Sequence, residues 1–444
     1  MALSVVCSAE YLFMGRFQMA DDFHIESIPY GRGEMTLCIP IKNYRGTRVP
    51  NYPSGIADET GEIQRALTHP IGTPTLKEIA RKKKTKKTVV VVNDGSRPTV
   101  TDKLLPPLMK ELADIGISDD DILILIATGT HRDVREDELE GLLGREIAGR
   151  YRVINHHCQD NENLVDIGKT SQGVPVVINR QIYEADLKIL TGSIHPHQTA
   201  GFSGGRKSVL PGLASVETLK THHGYHFRPK DPSMGWIDGN PFHLSALEAA
   251  KMAGADFILN LVQNQKKQIT RAVAGDVEAA WMAGVQASRE IFEIEMPKEI
   301  GIVVAIPGGH PRDSNLYQSQ RSLSVAEMVV KRGGTVILPA ACPDGIGSDL
   351  FYEWMAVASC PEEVLERFKK EGFDIGTSKA WLYARCLAKA EVIVITDCLE
   401  KKILTDMLTR KAQNFDEALT MAFDKQGKDA QVLVLRNAAD MIPK

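Results

Sequence analysis

The feature that most constrains this chain is the alternation of short β-branched runs with amphipathic stretches of helical period. Four consecutive valines occupy residues 89–92, and comparable runs recur along the whole sequence. Such a run suits a strand buried on both faces, and the helical stretch after it can cover one face of a sheet. The alternation therefore predicts an α/β fold with mainly parallel sheets flanked by helices.

The pattern also locates individual elements. The predicted strands cover residues 87–93, 121–127, 186–191, 256–262, 299–306, 335–339, 391–396 and 431–435. The predicted helices cover residues 102–115, 136–151, 214–222, 245–252, 324–331, 361–371, 378–389 and 415–425. No internal repeat or low-complexity tract interrupts this order.

Length and composition allow two domains, since 444 residues that are 43% hydrophobic can form two cores. A charged segment with a proline, residues 293–298, marks the boundary. We expect the active site in the cleft between the domains, and we leave open that the last strand returns to the first domain. The predicted parts are a frayed amino-terminal segment over 1–18, a first domain over 19–297, a second domain over 298–430 and a final strand over 431–444.

Charge and cysteine usage exclude several classes of partner and compartment. The formal net charge is −4, which gives no reason to expect nucleic acid or an anionic membrane as a partner. The seven cysteines are odd in number and form no CxxC pair, which is typical of a reducing cytosol without a disulfide framework. No apolar stretch reaches the length that spans a membrane. We therefore predict a cytoplasmic protein.

One short window concentrates chemically active side chains directly after a predicted strand. His195 and His197 precede a glycine-rich loop that ends in Lys207, and His222 and His223 follow. Loops at the carboxyl ends of strands are where α/β folds place their chemistry. An amine beside several imidazoles indicates a site that attaches a covalently held cofactor and coordinates its metal.

The loop itself is Gly201-Phe-Ser203-Gly204-Gly205-Arg206-Lys-Ser. It superficially suggests a phosphate loop, but Arg206 stands where that motif requires its second glycine, so the match fails. Two interpretations remain open. The loop either binds an anion or forms a tight turn between a strand and a helix.

Two further strand ends carry polar residues. Asp94 and Arg97 follow the strand over 87–93, and residues of this kind suit a plain turn as well as the binding of a carboxylate or phosphate. His131 follows the next strand after Ala-Thr-Gly-Thr. An imidazole at a glycine-containing strand end predicts a catalytic acid or base.

The second domain contributes a cluster of aromatic and polar residues. Tyr317, Gln318 and Arg321 lie close together, and Lys379 and Trp381 follow later. The aromatic rings could simply pack in the core. Their polar neighbours favour a binding surface at the start of a helix, where Arg321 would recognise a substrate carboxylate.

Together these motifs resemble the nickel-pincer lactate racemase family, from about Gly31 to the carboxyl end. The family uses nickel held in pyridinium-3,5-bisthiocarboxylic acid mononucleotide, the nickel-pincer nucleotide. The resemblance implies that Lys207 binds this cofactor covalently and that His223 ligates nickel, with His222 as second choice. It also implies that cofactor-synthesis enzymes are partners.

The resemblance assigns further roles residue by residue. His131 and His197 correspond to the catalytic histidines, and Asp94 and Arg97 correspond to the pair that holds cofactor and substrate. Arg321 stands where the lactate enzymes carry lysine, and these two cations present different donor geometry. The implied substrate contacts are Arg97, Tyr317, Gln318, Arg321 and Trp381, and the implied cofactor loop is Gly201, Ser203, Gly204 and Gly205.

The chemistry explains these residue types. The α-hydrogen of a 2-hydroxy acid is hardly acidic, so removing it as hydride while a base takes the hydroxyl proton gives a planar keto acid. Returning the hydride to the opposite face inverts the centre, and two histidines can serve the two enantiomers. We therefore predict a racemase or epimerase of a small, lactate-like 2-hydroxy acid, with the first domain binding the cofactor and the second closing over the substrate.

Other functions remain open. The same chemistry could act on a longer, aromatic, dicarboxylic or sugar-derived 2-hydroxy acid. A metal-dependent hydrolase could use the same histidines on a metal-bound water, although Lys207 would then have no role. A metal or cofactor carrier is the non-enzymatic alternative, although it would not need opposed bases.

Overall fold

The computed structural model describes residues 22–95, 100–374 and 376–444. The predicted frayed segment over 1–18 and the predicted site residue Arg97 lie outside these ranges. Among the helices of the described residues, none has both the length and the apolar character that crossing a bilayer demands.

Strands and helices alternate along most of the chain. The strands are β1 Phe23–Tyr30, β2 Gly33–Pro40, β3 Tyr44–Arg48, β4 Thr88–Asn93, β5 Ile122–Ala127, β6 Arg152–Asn155, β7 Leu164–Lys169, β8 Pro175–Asn179, β9 Leu187–Ser193, β10 Pro196–His197, β11 Gly201–Phe202, β12 Phe257–Gln263, β13 Ile269–Gly275, β14 Glu293–Ile294, β15 Ile300–Ile306, β16 Val330–Pro339, β17 Glu391–Ile395, β18 Arg410–Ala412, β19 Val432–Arg436 and β20 Ile442–Pro443. The helices are α1 Glu59–Thr68, α2 Leu76–Lys83, α3 Thr101–Asp114, α4 Glu136–Leu143, α5 Arg145–Arg150, α6 Arg180–Glu184, α7 Val216–His222, α8 Pro241–Met252, α9 Ala279–Phe292, α10 Leu316–Val329, α11 Asp349–Ala356, α12 Pro361–Glu371, α13 Thr377–Lys389, α14 Lys401–Asp406 and α15 Phe415–Gln426.

The first large sheet has the strand order β13-β12-β9-β4-β5-β6. Its strands are parallel except for β13, which pairs antiparallel with β12. The valine run forms the buried centre of β4, as its two-sided burial in a parallel sheet requires. The predicted α/β class is confirmed.

The second large sheet is parallel throughout and has the order β18-β17-β16-β15-β19-β3. Its edge strand β3 comes from the beginning of the chain, inside the range 19–297 predicted as the first domain. The last long strand, β19, lies between β15 and β3, so it does not return to the first sheet. The short β20 pairs with β14.

Several helix predictions need correction at their bounds, among them the helix predicted over 245–252, which begins at Pro241, and two of the corrections have a clear physical reason. The helix predicted over 136–151 is two helices, because Gly144 between them adopts a φ of +85°. The helix predicted over 324–331 begins at Leu316, because the Asn315 side chain accepts a hydrogen bond from the Gln318 amide and caps it there. Residue 330 already belongs to β16.

The apolar core connects the two sheets. One cluster of buried side chains runs from Trp281 and Phe292 on α9 to Phe351 and Tyr383 on the helices of the second sheet. A second cluster covers the opposite face of the first sheet, and a third covers the opposite face of the second. The shared cluster gives the loops between the sheets a rigid base.

Candidate active site

Three adjacent strands bring the predicted site residues of the first domain to one edge of the sheet. Asp94 follows β4, His131 lies four residues after β5, and His195 and His197 follow β9. Because β4 lies between β5 and β9 and all three are parallel, their carboxyl ends meet at the same edge. This is the position where open α/β sheets bind ligands.

His131 and Asp94 are in direct contact. The Nδ1 atom of His131 lies 2.7 Å from Oδ2 of Asp94. The Asp94 side chain is only 8% exposed, whereas the His131 side chain is 45% exposed. A buried carboxylate thus orients an imidazole whose outer edge is open to a ligand.

His197 lies in a tight hairpin with the glycine-rich loop. It pairs with Gly201 across β10 and β11. Its Nδ1 atom accepts hydrogen bonds from the backbone amides of Thr199 and Ala200, both at 3.1 Å. The hairpin therefore places this imidazole directly beside the loop that leads to Lys207.

The glycine-rich loop needs its glycines for close packing. At Gly201, with a φ of +73°, an added Cβ would lie 2.3 Å from the backbone oxygen of Trp236. Gly204 has a φ of +78°, which a side chain disfavours. The Gly205 amide donates to Oδ1 of Asn260 at 2.7 Å, and Ser203 Oγ donates to the Ser193 carbonyl at 2.8 Å. The loop is a tight turn held by buried polar groups.

Arg206 holds this turn from inside. Its guanidinium is fully buried, lies 3.7 Å from the centre of a Trp281 ring and donates to the Ala200 carbonyl at 2.9 Å. Burial lowers the pKa of Arg206 well below its usual value. The next residue, Lys207, is half-buried in the short 3₁₀ turn Gly205–Ser208.

The two adjacent histidines lie at the end of α7, near this lysine. His222 is fully buried and its Nε2 donates to the Phe242 carbonyl at 3.0 Å. Burial lowers its pKa to about 3, and the charge of Lys207 contributes to the shift. Burial also lowers the pKa of His223 well below its usual value, with His222, Arg228 and Lys207 contributing. Both imidazoles are therefore neutral at pH 7, the state in which histidine binds metals.

The two rings differ in what their nitrogens contact. Nδ1 of His223 and Nδ1 of His222 are both buried and have no hydrogen-bond partner within the part of the chain that the structure describes. Nε2 of His222 donates its hydrogen bond to a carbonyl, and the residue is fully buried, whereas His223 is half-buried. Over residues 22–95, 100–374 and 376–444, no group of three or more His, Cys, Asp or Glu side chains is arranged to hold a metal.

The second domain approaches these loops through α10. Burial lowers the pKa of His195, and the charges of Asp440, Arg312 and Arg321 also act on it, which places Arg321 near the strand end after β9. The ring of Tyr317 lies 4.7 Å from Nζ of Lys379. Arg321 on α10 therefore lies near the loops of the first domain, whereas the Tyr317–Lys379 contact lies within the second domain.

Arg228 connects the candidate metal ligand to the second domain. Its Nε donates to the His223 carbonyl at 2.8 Å, and its Nη2 donates to Oγ of Ser378. The guanidinium lies 5.9 Å from the Trp381 ring. Trp381 is almost fully buried, and Gln318 is half-buried in the first turn of α10.

Sequence reasoning missed Arg228, Asn240 and Ser324, which hold the loops of the site in place. Asn240 precedes Pro241, a pattern that predicts only the start of a helix. Ser324 and Arg228 carry no local signal, because their contacts join distant parts of the chain. Arg97 lies in residues 96–99, outside the described residues.

Comparisons with known proteins identify the family of this chain. The family model of the lactate racemase N-terminal domain matches residues 30–235, and that of the lactate racemase C-terminal domain matches residues 296–442. The lactate racemase of Thermoanaerobacterium thermosaccharolyticum is 33% identical over 423 residues, covering 94% of this chain and 98% of that protein. The lactate racemase of Lactiplantibacillus plantarum is 32% identical over 425 residues, covering 94% and 99%.

Solved structures give the same result. The lactate racemase apoprotein from Thermoanaerobacterium thermosaccharolyticum superposes with a TM-score of 0.89 at 32% identity, over 95% of this chain and 100% of that chain. A Thermotoga maritima protein shares the fold alone. It superposes with a TM-score of 0.58 at 21% identity, over 85% of this chain and 100% of that one. The chain therefore belongs to the lactate racemase family and is an enzyme of the isomerase class.

Proposed function

We propose that this enzyme inverts the C2 centre of a small, lactate-like 2-hydroxy acid by reversible hydride transfer. The observation that carries the proposal is the presence of two imidazoles, His131 and His197, at the ends of strands on either side of β4. The hydroxyl proton must be taken from one enantiomer and a proton returned to the oxygen of the other, while hydride leaves one face of C2 and returns to the opposite face. Imidazole is suited to both proton transfers near neutral pH. The relatives named lactate racemase support lactate as the first substrate to test.

The residues present fit the nickel-pincer nucleotide implied by the family resemblance. A neutral, half-buried His223 whose Nδ1 lacks a hydrogen-bond partner within the described ranges is what a single protein ligand to nickel requires. Lys207 is close enough to affect its pKa and provides the amine for covalent attachment. When bound, this group supplies the hydride acceptor that protein side chains lack.

The other cofactor contacts follow from their places around Lys207. Asp94 is buried at the strand end and orients His131, and Arg97, three positions later in the sequence, adds a cation. The glycines of the hairpin loop let its backbone pack closely against Trp236, Asn260 and Trp281, which fixes the position of the loop beside Lys207. The proposed cofactor contacts are Asp94, Arg97, Gly201, Ser203, Gly204 and Gly205.

The substrate would bind between the two domains. Arg97 from the first domain and Arg321 from α10 would hold its carboxylate, and charge-assisted contacts of this kind give both affinity and orientation. Tyr317, Gln318 and Trp381 would complete the surface. Closure of the cleft would exclude water and retain the keto acid. Arginine at position 321 makes a longer or more polar 2-hydroxy acid the alternative substrate.

A first experiment measures covalent attachment of the cofactor separately from racemase activity. The chain would be produced in the cytoplasm of a host cell, with and without the cofactor-synthesis enzymes. For each preparation we would measure the intact mass, the nickel content and the interconversion of single enantiomers. We expect an adduct, nickel and racemisation only with those enzymes. Failure of the loaded protein to interconvert any 2-hydroxy acid would contradict the proposed function.

A matched pair of variants tests the attachment point. Lys207→Ala should carry no adduct and have no activity, whereas Lys220→Ala, which removes an exposed lysine of α7, should resemble the parent. An adduct of unchanged mass and yield on Lys207→Ala would refute attachment at this residue.

A further inference from the structure

Both candidate catalytic histidines face their supports with Nδ1, but the supports differ: a carboxylate for His131 and two backbone amides for His197. An ionised carboxylate can only accept hydrogen bonds, so the 2.7 Å contact of Asp94 with Nδ1 of His131 requires a proton on that nitrogen. A neutral imidazole carries one N–H. The Nε2 atom of neutral His131 therefore has a lone pair and can accept a proton.

His197 has the opposite arrangement. Backbone N–H groups can only donate, and those of Thr199 and Ala200 both point at its Nδ1 from 3.1 Å. Nδ1 must then carry the lone pair, which leaves the proton of neutral His197 on Nε2. A proton placed on Nδ1 would face two N–H donors.

The turn that presents these amides is held from three sides. Each anchoring side chain comes from a different part of the chain, and each is almost fully buried. The contacts are Ser324 Oγ to Oε1 of Gln198 at 2.8 Å, Asn240 Nδ2 to the Thr199 carbonyl at 2.8 Å and Arg206 Nη2 to the Ala200 carbonyl at 2.9 Å. The amides cannot turn away from His197 without breaking buried hydrogen bonds.

We propose that neutral His131 and neutral His197 carry their protons on opposite ring nitrogens, so that the resting enzyme has one proton acceptor, His131, and one hydrogen-bond donor, His197. This inference rests on the proposed function for its kinetic consequence, whereas the tautomers themselves follow from the geometry. The pair is unequal before any substrate reacts.

The proton balance gives this asymmetry a consequence. When a hydroxyl group faces His131, its proton passes to Nε2, the O–H electrons form the carbonyl bond, and the C2 hydrogen leaves with its electron pair to the hydride acceptor. His131 keeps its Nδ1–H bond to Asp94 throughout. When the hydroxyl of the other enantiomer faces His197, Nε2 can accept its proton only after the existing proton has moved to Nδ1, which requires the turn to open.

The tautomers can be measured on protein without cofactor. We would label histidine with ¹⁵N and assign the rings with His131→Gln and His197→Gln, at a pH where both rings are neutral. We expect the Nδ1–H form for His131 and the Nε2–H form for His197. The same tautomer in both rings, or rapid exchange between forms in His197, would overturn the proposal.

A matched pair of variants tests the anchored turn. Ser324→Ala removes the hydroxyl that holds Gln198, and Ser324→Thr keeps it. We expect Ser324→Ala to introduce tautomer exchange at His197 but not at His131, and Ser324→Thr to retain the parent spectrum. If Ser324→Ala does not fold, Gln198→Ala removes the same bond at a half-buried side chain of the turn itself. An unchanged His197 signal in a folded variant would overturn the role of the anchor.

The loaded enzyme provides the kinetic test. In single turnovers, the enantiomer that depends on His131 should transfer hydride faster by about tenfold, the equivalent of one or two net hydrogen bonds lost at His197. Equal rates would overturn the kinetic consequence. A loaded enzyme that reacts with no 2-hydroxy acid would instead contradict the proposed function and leave the ¹⁵N result standing.

Discussion

The loop that carries His131 and the segment over residues 195–207 follow strands of the same sheet but are built differently. The first is stabilised by surface ion pairs such as Arg132 with Glu138, at 2.6 Å and with side chains 65% and 30% exposed. The second contains buried Phe202 and Arg206 and is tied to the core by hydrogen bonds. Exposed pairs stabilise little, whereas buried bonds are costly to break. The loop that carries His131 can therefore adjust its conformation, whereas the segment over residues 195–207 keeps a fixed geometry.

The largest effect should come from His223, the proposed metal ligand next to the rigid segment. His223→Ala removes the half-buried imidazole proposed to ligate nickel, so the loaded variant should lose its nickel while the adduct on Lys207 can remain. Metal analysis and intact mass would show this. His226→Ala, which changes an exposed histidine three residues later, is the control. Full nickel content with normal activity in His223→Ala would reject the assignment.

Variants of the two histidines proposed as catalytic, His131 and His197, test the comparison between the two loops directly. His131→Ala and His197→Ala should each slow hydride transfer in single turnovers by roughly 10²–10⁴-fold, the usual contribution of a positioned acid or base. Each variant should impair one enantiomer far more than the other, with opposite preference. Optical detection of the cofactor would follow the step. Equal defects for both enantiomers in both variants would leave one histidine as an orienting residue.

A smaller effect is expected at the face that the second domain contributes. Arg321→Ala should reduce kcat/KM by the equivalent of about 2–4 kcal/mol of transition-state binding, because one charge-assisted contact to the substrate carboxylate is lost. Arg321→Lys should shift preference toward lactate. Unchanged kcat/KM in Arg321→Ala for a panel of 2-hydroxy acids would mean that this residue does not contact the substrate.

The smallest effects concern stability and sharpen the contrast between buried and exposed contacts. Asn240→Ala removes a buried cap of α8 and the bond to the Thr199 carbonyl, which should cost about 2–4 kcal/mol of unfolding free energy. Glu138→Gln breaks an exposed ion pair and should leave that free energy unchanged within error. Denaturant titration would measure the unfolding free energy of both variants. Equal destabilisation would contradict the contrast between buried and exposed contacts.

Much of this site could be predicted from the sequence because one rule applies to it. Polar residues after consecutive parallel strands meet at one sheet edge, and Asp94, His131 and His197 follow that rule. The glycine-rich loop was equally visible from its composition. The rule places residues at an edge, but it does not state which ring nitrogen faces which partner.

The remaining features depend on contacts between distant residues. Ser324 bonds to Gln198 across 126 positions, and β3 pairs with β19 across almost the whole chain. Periodicity reports burial within a segment and carries no information on which segment covers it. Two of the three anchors of the His197 turn, Ser324 and Asn240, were therefore visible only in the structure, as was the start of α10 at its Asn315 cap.

The central claim is that the C2 hydrogen leaves and returns as hydride, and the fate of that hydrogen tests it most directly. A single enantiomer of C2-deuterated lactate would be incubated with the loaded enzyme in ordinary water, and the opposite enantiomer would be isolated and its deuterium content measured by mass spectrometry. The account predicts that the product retains its deuterium. Replacement of the deuterium by hydrogen from water would show that the enzyme abstracts a proton from carbon and would contradict the account.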